Sequence, residues 1–370
     1  MKRPEWVKKT GFAAAVLAVL FICGCSKAPK SAADYYSRGA VYATNGEFDK
    51  AIADFSKAVE LDPKDVRSYY NRGLAYGAKS AYAPAIEDFS RAIAIAPGSG
   101  MAYLSRGNMY AKKGAYDLAI ADYSREIIIT SKPVDAYYYR GRAYAASGSI
   151  EAAIEDFTRA LENDPRCSGA YADRGLAYYN IGEQEMAMMD VSKALELNPE
   201  MAAGYSIRGT IYMGTGRGAL AIEAFTMALA MAPKDARVYA DRGRAYAGEG
   251  KYAPAIEDFS RALELDPKLS GAYSGRAAAY IKNGDFNKAL EDCARAIALD
   301  PKSAEPYYTR GLARAYNGEH DRAIEDFSSA IAIAPRTASI YYNRSLSYRE
   351  KGEYSKAAAD KKKYRSLAKK

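Results

Sequence analysis

One pattern of apolar and polar positions repeats along the chain with a period of 34 residues. Arginine marks the period by recurring ten times at this spacing, at Arg38, Arg72, Arg106, Arg140, Arg174, Arg208, Arg242, Arg276, Arg310 and Arg344. If this arginine is the seventh residue of each unit, the units begin at residues 32, 66, 100, 134, 168, 202, 236, 270, 304 and 338. A fixed period of this length is typical of a stacked array in which each unit buries its apolar face against the next.

The first half of each unit predicts a helix, which we call helix A. Tyrosine occupies the fourth place in all ten units and the eleventh in nine, and a small residue occupies the eighth. Because places 4, 8 and 11 share one stripe of a 3.6-residue helix, they form its packing face. Glycine at the fifteenth place of nine units predicts a left-handed end to this helix, and Ser80 is the departure.

The second half predicts an antiparallel helix B, with alanine at places 20 and 27 and usually an aromatic residue at place 24. Aspartate fills place 23 in nine units, and Ala224 stands there in the other. If the fourth place meets the twenty-fourth across the hairpin, each recurrent arginine lies near this aspartate, which predicts a ladder of ion pairs. We expect exposed pairs, worth about 0–1 kcal/mol each, that specify register more than stability. Independent solvated charges are the alternative.

The second unit carries a recognisable set of positions, namely Tyr69, Gly73, Tyr76, Ala85, Phe89, Ala92 and Pro97. This set resembles the signature of the tetratricopeptide repeat, and the resemblance extends over residues 32–370. It implies an all-α fold, a right-handed α-solenoid (superhelix) of ten helical hairpins in which helix A lines a concave groove that binds peptides or partner helices. Two departures are systematic, because the family often has Trp at the Tyr69 position and usually Leu at the Arg72 position.

A second face of helix A, at places 2, 5, 9 and 12, points away from the predicted packing stripe. The predicted partner-binding residues on this face are Arg67, Tyr70, Leu74, Met101, Leu104, Asn108, Tyr138, Arg142, Arg237, Arg244, Tyr308 and Leu312. Tyrosine, leucine and methionine interspersed with arginine suit a segment that has apolar anchors and some acidic groups. Alternatively, the tyrosines only pack adjacent A helices together.

The N-terminus follows a different pattern, with a basic segment ahead of a 13-residue apolar run over residues 11–23. This run is short for a membrane span and predicts a cleavable export signal. Residues 22–25 resemble a bacterial lipobox, which implies a lipoprotein signal peptide over residues 1–24, lipidation of Cys25, and a short linker over residues 25–31. An uncleaved anchor and ordinary secretion are the alternatives. Ser26 implies, by analogy, sorting to the outer membrane, facing the periplasm.

The distribution of charge and the number of histidines and cysteines limit the classes of function that the sequence supports. The net charge is +8, but nearly all of the excess lies at the two ends, including a lysine-rich last helix that predicts a polar cap. A nearly neutral body argues against nucleic acid as a partner. The single histidine, His320, and four cysteines without ligand spacing give no basis for a catalytic residue, a metal site or a cofactor.

These observations together predict a non-catalytic protein–protein interaction scaffold, or adaptor, of the bacterial cell envelope. It would be lipid-anchored through Cys25 and would bind an envelope protein or a peptide segment in the concave groove of helix A. A self-associating structural envelope protein is the alternative, and an enzyme acting through His320 is a third hypothesis. The sequence leaves the oligomeric state open.

Overall fold

A computed structural model describes residues 30–368, so the predicted signal peptide and Cys25 lie outside the described residues. This range contains twenty α-helices and no strand, which confirms the prediction of an all-α solenoid of helical hairpins. None of these helices is both long and apolar enough to span a bilayer. The helices are α1 (Ala32–Thr44), α2 (Phe48–Leu61), α3 (Val66–Ala78), α4 (Tyr82–Ile95), α5 (Gly100–Lys112), α6 (Tyr116–Ile129), α7 (Val134–Ser147), α8 (Ile150–Asn163), α9 (Ser168–Asn180), α10 (Gln184–Leu197), α11 (Ala202–Gly214), α12 (Gly218–Met231), α13 (Ala236–Gly248), α14 (Tyr252–Leu265), α15 (Ser270–Asn283), α16 (Phe286–Leu299), α17 (Ala304–Tyr316), α18 (His320–Ile333), α19 (Ala338–Glu350) and α20 (Tyr354–Ala368).

The chain divides into two compact units, Met1–Ile181 and Gly182–Lys370. From here on, a unit is one of these two parts, and a single 34-residue element is called a repeat or a hairpin. The described part of the first holds α1–α9, with four complete hairpins from α1–α2 to α7–α8. That of the second holds α10–α20, with five complete hairpins from α11–α12 to α19–α20. Odd-numbered helices correspond to helix A and even-numbered helices to helix B.

Helix A ends as the sequence predicts. The nine glycines at place 15 have φ between 71° and 89°, in the left-handed region where a side chain is strained. Ser80 adopts the same conformation with φ of 60°. The tight turn that follows brings helix B back against helix A.

The core of seven of the nine complete hairpins is an aromatic ring on helix B that packs against bare backbone on helix A. In α7–α8, a Cβ added to Gly141 would lie 2.8 Å from Cε1 of Phe157, so glycine is required for this contact. Ala277 replaces the glycine in α15, and there Cys293 replaces the ring, so a smaller partner makes room for the methyl group. The glycine and the ring are therefore complementary in shape.

The same rings contact tyrosines at place 5, which the sequence analysis assigned to the opposite face. Ring centroids are 5.8 Å apart for Tyr36–Phe55, 5.6 Å for Tyr70–Phe89, 6.1 Å for Tyr138–Phe157 and 6.0 Å for Tyr308–Phe327. Place 5 therefore faces the interior at these four positions, which corrects the prediction. Tyrosines at place 4 lie beside the recurrent arginines instead. For example, the ring centroid of Tyr137 is 5.6 Å from Cζ of Arg140.

The predicted arginine–aspartate ladder is present within both units. In eight rungs, the Nε and Nη2 groups of arginine donate to the two carboxylate oxygens of aspartate at 2.6–3.0 Å. These rungs are Arg38–Asp54, Arg72–Asp88, Arg106–Asp122, Arg140–Asp156, Arg242–Asp258, Arg276–Asp292, Arg310–Asp326 and Arg344–Asp360. The contact between places 7 and 23 is thus confirmed, and independent solvated charges are ruled out for these pairs.

The expectation that the pairs are exposed is wrong. The aspartate side chains are 3–9% exposed, and all of the arginines except Arg38 are 17–22% exposed. Tyrosines at places 4 and 11 flank most of these guanidinium groups and keep water away, as Tyr137 and Tyr144 do for Arg140. Because the pairs are buried, removing one partner leaves a charge with little solvent to replace it.

A third hydrogen bond ties six of the eight ladder arginines, and Arg174, to the preceding hairpin. The Nη1 group of Arg140 donates to the Ser124 hydroxyl of α6 at 2.8 Å. The same bond to a hydroxyl at place 25 recurs for Arg72–Ser56, Arg106–Ser90, Arg174–Thr158, Arg242–Thr226, Arg276–Ser260 and Arg344–Ser328. The ladder therefore fixes how hairpins stack as well as how each hairpin closes.

Candidate functional site

The A helices form the inner face of each unit. Consecutive A helices are in contact from α1 to α9 and again from α11 to α19, whereas no comparable contact joins consecutive B helices in the described part of the chain. Close approach on the A side and separation on the B side make the A side the concave one within a unit. The concave side of a unit is the surface that can surround a partner segment.

Tyrosine hydroxyls at place 5 link adjacent A helices. The Tyr70 hydroxyl lies 3.2 Å from the Ser105 hydroxyl, and the Tyr138 hydroxyl donates to Asp173 Oδ2 at 2.9 Å. In the second unit, Asn343 Nδ2 donates to the Tyr308 hydroxyl at 2.8 Å. The alternative in which these tyrosines pack adjacent A helices together is confirmed for all three, while partner binding through them stays a prediction.

A cleft of about 200 Å³ opens between α7, α8 and α9 in the first unit. Its lining consists of Arg142, Ala145, Phe157, Asp173, Leu176, Ala177 and Asn180. Helix α7 supplies the arginine, α8 the aromatic floor, and α9 the opposite wall. The cleft thus combines an apolar floor with three polar side chains, and Arg142 is one of the predicted groove residues.

The polar groups of this cleft are only partly paired. Nε of Arg142 lies 3.5 Å from Oδ2 of Asp173, at the long end for an ion pair, and the arginine side chain is 57% exposed. Its guanidinium also stands 5.8 Å from the centroid of the Tyr138 ring. Unlike the ladder arginines, Arg142 therefore keeps N–H groups that face solvent and can donate to a ligand.

Burial shifts the pKa values of Asp173 and Tyr138 at the cleft. Desolvation raises the pKa of Asp173 above its ordinary value, although Arg142 and the Tyr138 hydroxyl act in the opposite direction. Desolvation also raises the pKa of Tyr138, and the nearby charge of Asp173 adds to this effect. Tyr138 is therefore a neutral hydrogen-bond donor at physiological pH.

The other predicted residues of the first unit are dispersed. Leu74 is only 7% exposed and packs in the core with Phe89 and Met109, which corrects its assignment to an open groove. Arg67 pairs with Asp65, and Asn108 accepts a hydrogen bond from Tyr123. Leu104 packs beside the Tyr123 core, whereas Met101 is exposed.

In the second unit, Arg244 forms an ion pair with Asp241 on the same helix. Arg237 is exposed in the first turn of α13, and its backbone N–H is capped by Asp235. Leu312 packs against two core clusters. The structure therefore brings Tyr138 and Arg142 together at one cleft and does not gather the remaining predicted residues around it.

Sequence reasoning missed Asp173 as the partner of Tyr138 and Arg142. The signal is a polar residue at place 6 of one repeat and a tyrosine at place 5 of the preceding repeat, as in the pairs Tyr36–Asn71, Tyr70–Ser105, Tyr138–Asp173 and Tyr308–Asn343. Its offset of 35 residues becomes meaningful only when the stacking of A helices is known.

Metal ligands and the single histidine are the remaining candidates for chemistry in the described part of the chain. No group of three or more His, Cys, Asp or Glu side chains in residues 30–368 is arranged to hold a metal ion. His320 begins α18, and its Nδ1 is buried without a hydrogen-bond partner among the described residues.

Family models agree with the hairpin architecture. Models of the tetratricopeptide repeat match residues 39–80, 66–99, 134–167, 168–201, 190–236, 236–269 and 276–346. The chain belongs to the tetratricopeptide repeat family. Proteins of this family generally mediate protein–protein interactions, and their fold is typically a non-catalytic scaffold.

Solved structures share the fold at low sequence identity. One chain in the crystal structure of the APC/C hetero-tetramer Cut9–Hcn1 is 15% identical to this protein, with a TM-score of 0.62. The match covers 85% of this chain and 76% of that chain. A tetratricopeptide repeat protein from Parabacteroides merdae is 19% identical, with a TM-score of 0.55, and the match covers 67% of this chain and 98% of that chain. Pseudomonas aeruginosa pilF is 21% identical with a TM-score of 0.51, covering 60% and 96%. No curated protein matches the chain significantly.

Proposed function

We propose that this protein is a non-catalytic protein–protein interaction scaffold of the bacterial cell envelope, which holds a segment of a partner protein in the Arg142 cleft. The observation that carries the proposal is a solvent-facing guanidinium beside an apolar floor on the inner face of the first unit. Such a combination provides one anchor for affinity and one charge for orientation.

The dimensions of the cleft define the ligand. A volume of about 200 Å³ is smaller than a typical small-molecule pocket and suits one apolar side chain of a peptide. The free N–H groups of Arg142 favour a carboxylate next to that side chain, and Asn180 offers an amide to the peptide backbone. The preferred segment therefore has an apolar residue followed or preceded by Asp or Glu.

The arginines of the complete ladder rungs are poorer candidates. In a complete ladder rung such as Arg140–Asp156, the guanidinium bonds both carboxylate oxygens and the Ser124 hydroxyl. Binding a partner there would require breaking these bonds first. Arg142, two residues further along α7, makes only the long contact with Asp173 and the contact with the Tyr138 ring, so fewer bonds have to be broken when a ligand binds.

A peptide library displayed on phage tests the cleft. Selection on the full-length protein should enrich sequences with an apolar residue next to an acidic one. The R142E variant should weaken the selected peptides by about 10- to 100-fold, since hydrogen bonds to charged groups contribute about 1.5–3 kcal/mol. The matched control is R159E, which alters a similarly exposed arginine on α8 of the same hairpin. Equal binding to R142E and to the unmodified protein would remove the cleft as the site.

The envelope location rests on the N-terminal sequence. A basic segment, a short apolar run and the lipobox-like residues 22–25 support lipidation of Cys25 and anchoring in the outer membrane, facing the periplasm. Feeding bacteria an alkyne analogue of palmitate should label the full-length protein, and C25S should abolish both the label and its recovery with membranes. Undiminished labelling of C25S would contradict this anchor.

A further inference from the structure

The recurrent arginine of α11, Arg208, lacks the ladder partner that its equivalents have. Place 23 of α12 is Ala224, which is 2% exposed, so no side-chain carboxylate stands opposite the guanidinium. Nε of Arg208 is buried and has no hydrogen-bond partner among the described residues. Buried N–H groups of this kind are uncommon in folded proteins because an unmade hydrogen bond is costly.

The next hairpin, α13–α14, has the hydrogen bonds that Arg208 lacks. Arg242 donates to both oxygens of Asp258 at 2.7 and 2.8 Å, and to Thr226 at 3.1 Å. Its guanidinium stands 5.6 Å from the ring of Tyr239. Arg208 instead stands 4.8 Å from the ring of Tyr205. The guanidinium of α11 thus lies closer to its aromatic neighbour and leaves its fork of donors unused.

We propose that Arg208 is a binding site for a carboxylate that comes from outside the chain. Eight complete rungs show that the fold holds an Arg–carboxylate pair at this register with bidentate geometry, which planar guanidinium favours. Aspartate differs from alanine by one carboxylate group, so formate has the size of the group that Ala224 lacks. The same chemistry is offered by a free small carboxylate and by an acidic side chain of a bound partner.

Thermal unfolding of the full-length protein tests for the site. At constant ionic strength, replacing chloride by about 0.3 M formate should raise Tm by about 1–3 °C through preferential binding to the folded state. The A224D variant supplies an internal carboxylate, so it should lose the formate-specific shift and unfold at a higher temperature. The D258A variant creates a second unpaired arginine and should show a larger formate shift than the unmodified protein.

Nuclear magnetic resonance separates the two sources of carboxylate. The ¹⁵N–¹H signal of the Arg208 Nε–H group, assigned by its loss in R208M, should move on titration with formate or with N-acetyl-aspartate N-methylamide. Tighter binding of the aspartate compound assigns the site to an acidic side chain of a partner, and tighter binding of formate assigns it to free small carboxylates. Either result supports the proposal. An unmoved signal with both probes, or a formate shift in Tm that A224D retains, overturns it.

Discussion

The third hairpin, α5–α6, and the fourth, α7–α8, have the same framework but offer different groups to solvent. Both close with a ladder rung, Arg106–Asp122 in one and Arg140–Asp156 in the other. In both, the glycine after this arginine lies against an aromatic ring on helix B. These shared features pair groups of the chain with one another, so they serve the fold.

The differences lie at places 9, 24 and 27. In the third hairpin, the Tyr123 hydroxyl donates to Asn108 at 2.8 Å, so the inner-face residue is bonded internally. In the fourth, Phe157 has no hydroxyl, and Arg142 at the equivalent place stays available at the cleft. Place 9 and place 24 together therefore decide which hairpin presents a free polar group. The third hairpin also buries Glu126 where the fourth has Ala160.

The largest effect should follow from breaking the framework of the fourth hairpin. D156A leaves Arg140 mostly buried without its carboxylate, and we expect a loss of about 3–5 kcal/mol in the free energy of unfolding. Guanidinium-induced unfolding measures the loss. The control E155A removes the adjacent exposed acid and should change stability by less than about 0.5 kcal/mol.

A double-mutant cycle with R140A isolates the pair itself. A coupling energy of about 1–3 kcal/mol is expected for contacting residues in one network. Zero coupling would show that the rung does not stabilise the hairpin, despite its geometry.

The next effect concerns the close approach of helices α7 and α8. G141A adds a methyl group 2.8 Å from Cε1 of Phe157 and 3.2 Å from the Ala153 carbonyl oxygen, so overpacking should cost about 1–3 kcal/mol. In the F157C background the cost should shrink, because Ala277 and Cys293 coexist in α15–α16 in this way. The control G271A meets no atom within 4 Å and should stabilise helix α15 by about 0.5–1 kcal/mol. Equal costs of G141A in both backgrounds would contradict the steric explanation.

A pH dependence should distinguish the third hairpin from the fourth. Burial raises the pKa of Glu126 above its usual 4.5, the charge of Asp135 adds to this, and a hydrogen bond from Thr130 opposes it. A carboxyl whose pKa is raised by folding favours the folded state when protonated, and this contribution is lost as the pH rises through the raised pKa.

The E126Q variant keeps the shape of the side chain and cannot ionise. Its stability relative to the unmodified protein should therefore increase from about pH 4 to about pH 7, by about 1 kcal/mol, the lower end of the cost of an unpaired buried polar group. Introducing A160E into the fourth hairpin should create the same dependence there. A pH-independent difference between E126Q and the unmodified protein would contradict the assignment.

The period of the sequence was sufficient to predict the framework that these two hairpins share. Places 7 and 23 face each other within one hairpin, so the contact of Arg140 with Asp156 follows from local helix geometry. The burial of that pair did not follow, because the charge pattern does not reveal that Tyr137 and Tyr144 flank the guanidinium.

Contacts between hairpins were harder to predict. The bonds of Arg140 to Ser124 and of Tyr138 to Asp173 depend on the offset between stacked hairpins, which periodicity alone does not give. The cleft at Arg142 arises from this same stacking. It could be predicted only as part of a general groove, and its wall on α9 was not recognised.

The smallest effect should come from exchanging the rings that distinguish the two hairpins. Y123F removes the hydrogen bond to Asn108, which is half-buried and can turn to water, so the expected loss is about 0.5–1 kcal/mol. F157Y in the fourth hairpin adds a hydroxyl to the floor of the cleft, on the side of Arg142 by analogy with Asn108. This hydroxyl should occupy part of the apolar floor and weaken the peptides selected on the unmodified protein by about fivefold, equivalent to about 1 kcal/mol. Isothermal titration with one such peptide measures the change, and Y123F is the control that alters the other hairpin alone. An unchanged affinity of F157Y would show that the ring at place 24 does not contact the ligand, and the difference between the two hairpins would then lie in Arg142 alone.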